Sequence, residues 1–203
     1  MQDKTVLFVL ISEYADWEPA FLAAGLRWGY GLWNNPYVVK TVSHSKAPVS
    51  SIGGFTVMPD YSFEDMPESH AALILVGGTS WHGPEAKEVL PLVQRALVQD
   101  AFIGAICDAS TFLATHGFLN AVPHTFIDLS VLSGSARGTY SGEAFFKDRQ
   151  SVRGGRVITA KPTGYVEFAR DIFSALNVAT EDKINDFYQI CKTGDCSILL
   201  KQG

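Results

Sequence analysis

The sequence predicts a doubly wound α/β domain, and two regularities carry that prediction. Short apolar runs recur at Thr5 to Ile11, Tyr37 to Val42, Ala71 to Val76 and Phe102 to Ile106, and they are hydrophobic on both sides rather than on alternate residues. Such runs suit strands covered on both faces. Between them lie stretches whose apolar residues repeat at helical spacing, and alternation of this kind builds a mostly parallel sheet with helices on both faces, joined by right-handed crossovers. At 203 residues the chain fits one domain, read here as residues 1–203.

Taken in order, the first strand leads into a helix over Glu18 to Trp28, with Phe21, Ala24, Leu26 and Trp28 on its apolar side. Ser51 to Met58 carries Gly53-Gly54 between short β-prone pieces and reads as a hairpin or crossover insertion. Val89, Leu92, Val93, Ala96 and Leu97 mark a second helix, in which Pro91 sits either in the first turn or at a kink. Ser110 to His116 reads as a third helix. Ser151 to Thr159, with Gly154-Gly155 between β-prone residues, is a second hairpin. Thr163 is the expected N-cap of a helix carrying Val166, Phe168, Ala169, Ile172, Phe173 and Leu176, and Thr180 that of a last helix through Ile190.

Composition narrows the partners. Hydrophobic residues make up 47% and charged ones 18%, inside the range of soluble globular domains, and the net charge of -5 offers no basic field to nucleic acid or an anionic membrane. A small-molecule substrate or another protein is the expected partner. Val6 to Ile11 is too short for a signal core or a membrane span, and the three cysteines 107, 191 and 196 are an odd number, so reduced thiols in the cytoplasm are expected. Cys191 and Cys196 come with no third or fourth ligand in sequence, so neither a metal nor a cofactor is called for.

Chemistry concentrates at Cys107. In Phe102-Ile103-Gly104-Ala105-Ile106-Cys107-Asp108-Ala109-Ser110 the cysteine falls at the switch from strand to helix, and ligands of open α/β sheets gather outside the carboxyl ends of strands. A helix starting just after the sulfur favours its thiolate form. The alternative is a small core hydrophobe, a common role for free cysteine.

Ile106-Cys107 before a helix, preceded by Leu75-Val76-Gly77-Gly78-Thr79-Ser80-Trp81, resembles the ThiJ/PfpI family of the glutamine amidotransferase-like superfamily. Tyr14-Ala15-Asp16-Trp17-Glu18, Gly117-Phe118-Leu119-Asn120 with His124-Thr125, Val157-Ile158-Thr159-Ala160 and Val166-Glu167-Phe168-Ala169 extend the likeness over most of the chain. The resemblance implies a flavodoxin-like fold, Cys107 as a nucleophile on an elbow, Glu18 against its sulfur, and an oxyanion hole from the N–H groups of Gly78 and Asp108. It implies a homodimer as well. A protonated Glu18 carboxyl would stabilise the thiolate, which requires the raised pKa that burial produces; the alternative is an exposed carboxylate at a helix N-terminus. Gly77, Thr79, Trp81 with His82, His124 and Asp16 are further pocket candidates, although Trp81 serves equally as a packing anchor and a lone histidine is more often structural.

Two departures bear on function. Asp108 stands where peptidase-like members carry histidine, and Phe126-Ile127 follow His124-Thr125 where related segments are polar. No His-x-Glu lies downstream of the nucleophile, so a glutaminase is excluded for lack of its base. The resemblance therefore implies a cysteine hydrolase, or a glyoxalase- or deglycase-like enzyme acting on a small electrophilic carbonyl or acyl compound; a non-catalytic, redox-sensing or stress-protective thiol is the alternative.

Overall fold

In a computed structural model of the chain, which describes residues 4–34 and 37–197, seven strands form one sheet. They are β1 (Thr5–Val9), β2 (Val38–Ser43), β5 (Tyr61–Ser62), β6 (Ala72–Leu75), β7 (Phe102–Ile106), β8 (Ser151–Gly154) and β9 (Val157–Ala160), in the order β5-β2-β1-β6-β7-β9-β8. All pairings are parallel except that of β8 with β9. The fold is flavodoxin-like and doubly wound.

Side chains alternate across a strand, so each buried strand feeds two cores. Val6 and Phe8 of β1 face one layer, with Leu22 and Leu26 of α1 (Trp17–Trp28), Phe168, Ile172 and Phe173 of α4 (Tyr165–Leu176) and Ile184 and Phe187 of α5 (Glu181–Thr193). Leu7 and Val9 face the other, with Leu92, Val93 and Ala96 of α2 (Leu90–Val98) and Phe112 and Leu113 of α3 (Asp108–Thr115). This is why the strands read as unbroken apolar runs. Burying one such Leu or Phe outright contributes about 1.5–3 kcal/mol, so the two layers hold the sheet rigidly beneath the loops at its carboxyl edge.

The Ser51 to Met58 insertion is a hairpin, β3 (Val49–Ser50) against β4 (Thr56–Val57), outside the main sheet. The second hairpin is β8 with β9, and Pro91 lies in the first turn of α2. Several boundaries differ from expectation. Thr163 does not cap α4: Gly164 holds that position, and the Thr163 hydroxyl donates to Gln150 Oε1 at 2.9 Å instead. Thr180 occupies the N-cap position of α5 without a side-chain bond, and the helix continues past Ile190 to Thr193. The third helix starts at Asp108, two residues earlier than its apolar pattern indicates, because the elbow turns so sharply.

β1 connects to β2 on one side while its other neighbour is β6, so the chain reverses its direction of travel across the sheet at β1 and β6. The loops after β1, β6 and β7 therefore meet at one crevice. Gly104 in β7 lets α4 approach: a Cβ there would lie 2.8 Å from Ile74 Cδ1 and 2.8 Å from Phe168 Cζ. Gly104→Ala is expected to destabilise the fold by about 1–3 kcal/mol through overpacking, read as a lower denaturation midpoint at unchanged slope. An unshifted midpoint would show that the two layers have slack at this strand.

Candidate active site

Cys107 is held at φ 61° and ψ -131°, a region that L residues rarely occupy. β7 ends one residue before it and α3 begins one residue after it, so the chain must reverse within a single residue. Its N–H donates to Ala160 O at 2.9 Å, and its carbonyl accepts from Ser110 N at 3.0 Å. Ser110, fully buried, anchors the turn from beneath by donating to Ala105 O at 2.8 Å. Backbone in such a region costs about 1–3 kcal/mol and persists only where its surroundings over-determine it. The turn pushes the thiol out of the core: Cys107 is partly exposed, while the five residues of β7 are buried.

Glu18 comes from the first turn of α1 and is 0% exposed. One carboxyl oxygen, Oε2, accepts from Gly77 N at 2.8 Å. The other, Oε1, has no partner of good hydrogen-bonding geometry, and the carboxyl interacts with the Cys107 thiol as a hydrogen-bonding group. Gly77 separates the two side chains at the smallest possible distance: a Cβ on it would lie 2.5 Å from Glu18 Oε2 and 2.6 Å from Cys107 Cβ. Any larger residue would fill the space in which carboxyl and thiol meet.

Burial sets the electrostatics. It raises the Glu18 carboxyl to about 7, against the lowering effect of its bonds to Cys107 and Gly77. Burial raises the Cys107 thiol as well, and the carboxylates of Glu18 and Asp108 push it higher, while the Asp108 N–H donating to the sulfur pulls the other way. The helix start was expected to favour the thiolate; burial and the two carboxylates outweigh it. Cys107 and Glu18 behave as one titrating pair that holds a single negative charge above neutral pH. The thiolate exists as the arrangement in which Glu18 keeps the proton.

Gly78 forms an antiparallel bridge with Tyr14, using Ala15 N to Gly77 O at 2.9 Å and Thr79 N to Glu13 O at 3.3 Å. That pattern turns the Gly78 N–H away from Tyr14. A side chain at Gly78 would collide with the same segment, its Cβ 2.3 Å from Glu13 O. Asp108 N–H meets the sulfur, so Gly77, Cys107, Asp108 and Glu18 come together, with Gly78 next to Gly77 in the same loop.

The remaining candidates scatter. Thr79 donates its hydroxyl to Glu13 Oε2, which fixes the loop after β6. Asp16 accepts from Gly53 N at 2.8 Å and tethers the β3–β4 hairpin; burial, the largest single influence, raises its pKa, but the hydrogen bonds from Ser51, Gly53 and its own backbone together outweigh this and hold it low. Trp81 is an anchor, its Nε1 donating to Val76 O at 2.7 Å and its ring tilted against Phe112 at 5.0 Å. His124 is held away from the thiol: it is buried, with Nδ1 2.7 Å from Val122 O and Nε2 2.9 Å from Tyr140 Oη, in an aromatic cluster with Phe126 and Phe146. Phe126 belongs to this packing unit, which explains the apolar departure at that position. In its place His82 approaches, with Nε2 3.5 Å from Asp108 Oδ1.

Sequence reasoning passed over a cavity of about 190 Å³ lined by Trp81, His82, Lys87, Asp108, Thr111 and His116 among others. The helical spacing of Asp108, Thr111 and Thr115 was the available signal.

The sequence pattern of the DJ-1/PfpI family matches residues 4–175. The chain belongs to the DJ-1/PfpI family. It is 32% identical over 196 residues to the uncharacterized protease YdeA of Bacillus subtilis, covering 93% of this chain and 95% of the relative. The uncharacterized protease YoaZ of the same organism is 30% identical over 196 residues, with 95% of this chain and 93% of the relative covered. A thiJ/pfpI family protein from Bacillus anthracis superposes with a TM-score of 0.91 at 28% identity, over 98% of this chain and 95% of that one. The DJ-1 superfamily protein Atu0886 from Agrobacterium tumefaciens gives 0.81 at 31% identity, over 92% and 96%.

In this DJ-1/PfpI protein the buried carboxyl makes stability depend on pH. Between the ordinary glutamate value of 4.5 and about 7 the folded chain keeps a proton that the unfolded chain has lost. The Glu18 contribution is therefore fully present below about 4.5 and is lost as pH rises through about 7, an effect of roughly 3 kcal/mol at about 1.4 kcal/mol per pKa unit. Urea denaturation of wild type and Glu18→Gln from pH 4 to 8 should show the variant gaining on wild type across this window. A constant difference would mean that Glu18 is not the group that titrates.

Proposed function

We propose that the protein is an enzyme in which Cys107 adds to the electrophilic carbon of a small carbonyl or acyl compound. The reading rests on one observation above the rest: a carboxyl with no exposure, raised to about 7, set against a thiol on a strained elbow. A structural role would be served equally by an apolar residue at position 18, without the cost of a buried ionisable group.

The chemistry follows from the pair. With the proton on Glu18, the thiolate attacks the carbonyl carbon; the C–S bond forms as the π pair of C=O moves onto oxygen. The N–H groups of Gly78 and Asp108 receive that oxygen, and Glu18 returns its proton to it or to a leaving group. Hydrolysis of an acyl compound and rearrangement of a dicarbonyl share this first step.

The names of the two Bacillus subtilis relatives favour a hydrolase of the protease kind. Asp108 in place of histidine, and a cavity of about 190 Å³, favour a substrate smaller than a peptide. The reading includes a cytoplasmic homodimer. Three free cysteines agree with a reducing compartment, and no described helix is long and apolar enough to cross a membrane. Exposed Phe55 and Met58 on the β3–β4 hairpin give apolar surface of the kind a second copy covers.

Cys107→Ala is expected to abolish consumption of small dicarbonyls or activated esters while circular dichroism and the unfolding midpoint persist; Glu18→Gln should lower kcat about 100-fold or more. Turnover retained in Cys107→Ala would remove the enzymatic assignment.

A further inference from the structure

The cavity beside the elbow contains more than the reaction just described uses. Thr111, one turn beyond Asp108 on α3, is 6% exposed, and its hydroxyl is buried without a partner. A hydroxyl left so is costly in a folded protein, and Thr111 lines a cavity that it shares with Asp108, the residue whose N–H meets the Cys107 sulfur. Lys87 lines the same cavity and makes no ion pair among the described residues. Asp108, the one carboxylate in the lining, already faces His82 at 3.5 Å. His116 completes the wall, with Nδ1 at 2.9 Å from Phe112 O, which leaves Nε2 as its free ring nitrogen. One buried donor thus stands without an acceptor, the Thr111 hydroxyl, and the solvent-exposed Lys87 ammonium beside it carries no ion pair among the described residues.

We propose that this cavity is a substrate subsite for a carboxylate, held by Lys87 and the Thr111 hydroxyl, so that the natural substrate is a small carbonyl compound carrying an acid group rather than a neutral dicarbonyl. The volume agrees. About 190 Å³ has room for the acid end of a compound of a few carbons. The inference deepens the enzymatic reading and rests on it only for the word substrate, since the subsite is a property of the cavity and of where Cys107 lies.

A matched pair of alkylating agents tests it without turnover. Iodoacetate and iodoacetamide deliver the same electrophilic carbon and differ in charge. The probe is the ratio of their rates at Cys107, followed by mass spectrometry, against the same ratio for a small free thiol at the same pH and ionic strength. The two carboxyls beside Cys107, Glu18 and Asp108, disfavour the anionic reagent, so an unassisted site would give a ratio below that of the free thiol. The proposal expects a ratio at least about tenfold above it, lowered toward it by Lys87→Met and by Thr111→Val, and lowered in wild type by added salt. A ratio at or below the free thiol, or one that neither substitution changes, overturns the subsite. Turnover separates the two readings: consumption of neutral dicarbonyls with no iodoacetate preference leaves the enzyme and removes the subsite, whereas the preference with no turnover of acidic or neutral carbonyls leaves an anion-binding thiol site and removes the enzyme.

Discussion

The site depends on one buried acid: Glu18 has no contact with solvent and shares its proton with Cys107. An isolated carboxylate so placed would be strongly destabilising, and two features make it tolerable. The Gly77 N–H supplies a charge-stabilising donor at 2.8 Å, and the pair as a whole carries one negative charge instead of two. The energetic cost of burial thereby becomes a chemical property, since the same desolvation that raises the acid keeps a proton on it up to about pH 7.

That arrangement constrains the backbone around it. Carboxyl and thiol can meet only over a residue without a side chain, which fixes glycine at 77, and the thiol can face the cleft only if Cys107 accepts a rare backbone conformation. The strain is held in place by the buried Ser110 hydroxyl below and the Ala160 carbonyl beside it. Both are parts of the two-layer core, so the rigidity of β7, β9 and α3 is what keeps the elbow turned.

The sheet was legible in the sequence because its strands are buried on both faces and lie in unbroken apolar runs. The hairpins were legible from their glycine pairs. What escaped was set by contacts distant in sequence: the two-residue β5 has no local signature, and α3 begins at Asp108 because the elbow, not the helix's own apolar pattern, decides where the chain turns. The core of the site, Cys107, Glu18, Gly77, Gly78 and Asp108, was readable through family motifs. His124 was read as more often structural than not, but nothing local shows that Val122 O and Tyr140 Oη are the partners of its two ring nitrogens. Likewise the approach of His82 to Asp108 joins the loop after β6 to the start of α3 and has no signature in either segment alone.

Asp108 then becomes intelligible as more than a missing histidine. Its N–H stabilises negative sulfur while its carboxylate opposes it, so the one residue acts in both directions on the thiol. Burial raises the Asp108 carboxyl and the facing imidazole of His82 lowers it. Whatever brings positive charge to His82, or neutralises Asp108, eases the thiolate through this contact at 3.5 Å. Asp108 and His82 are therefore a second electrostatic influence on the sulfur beside that of Glu18.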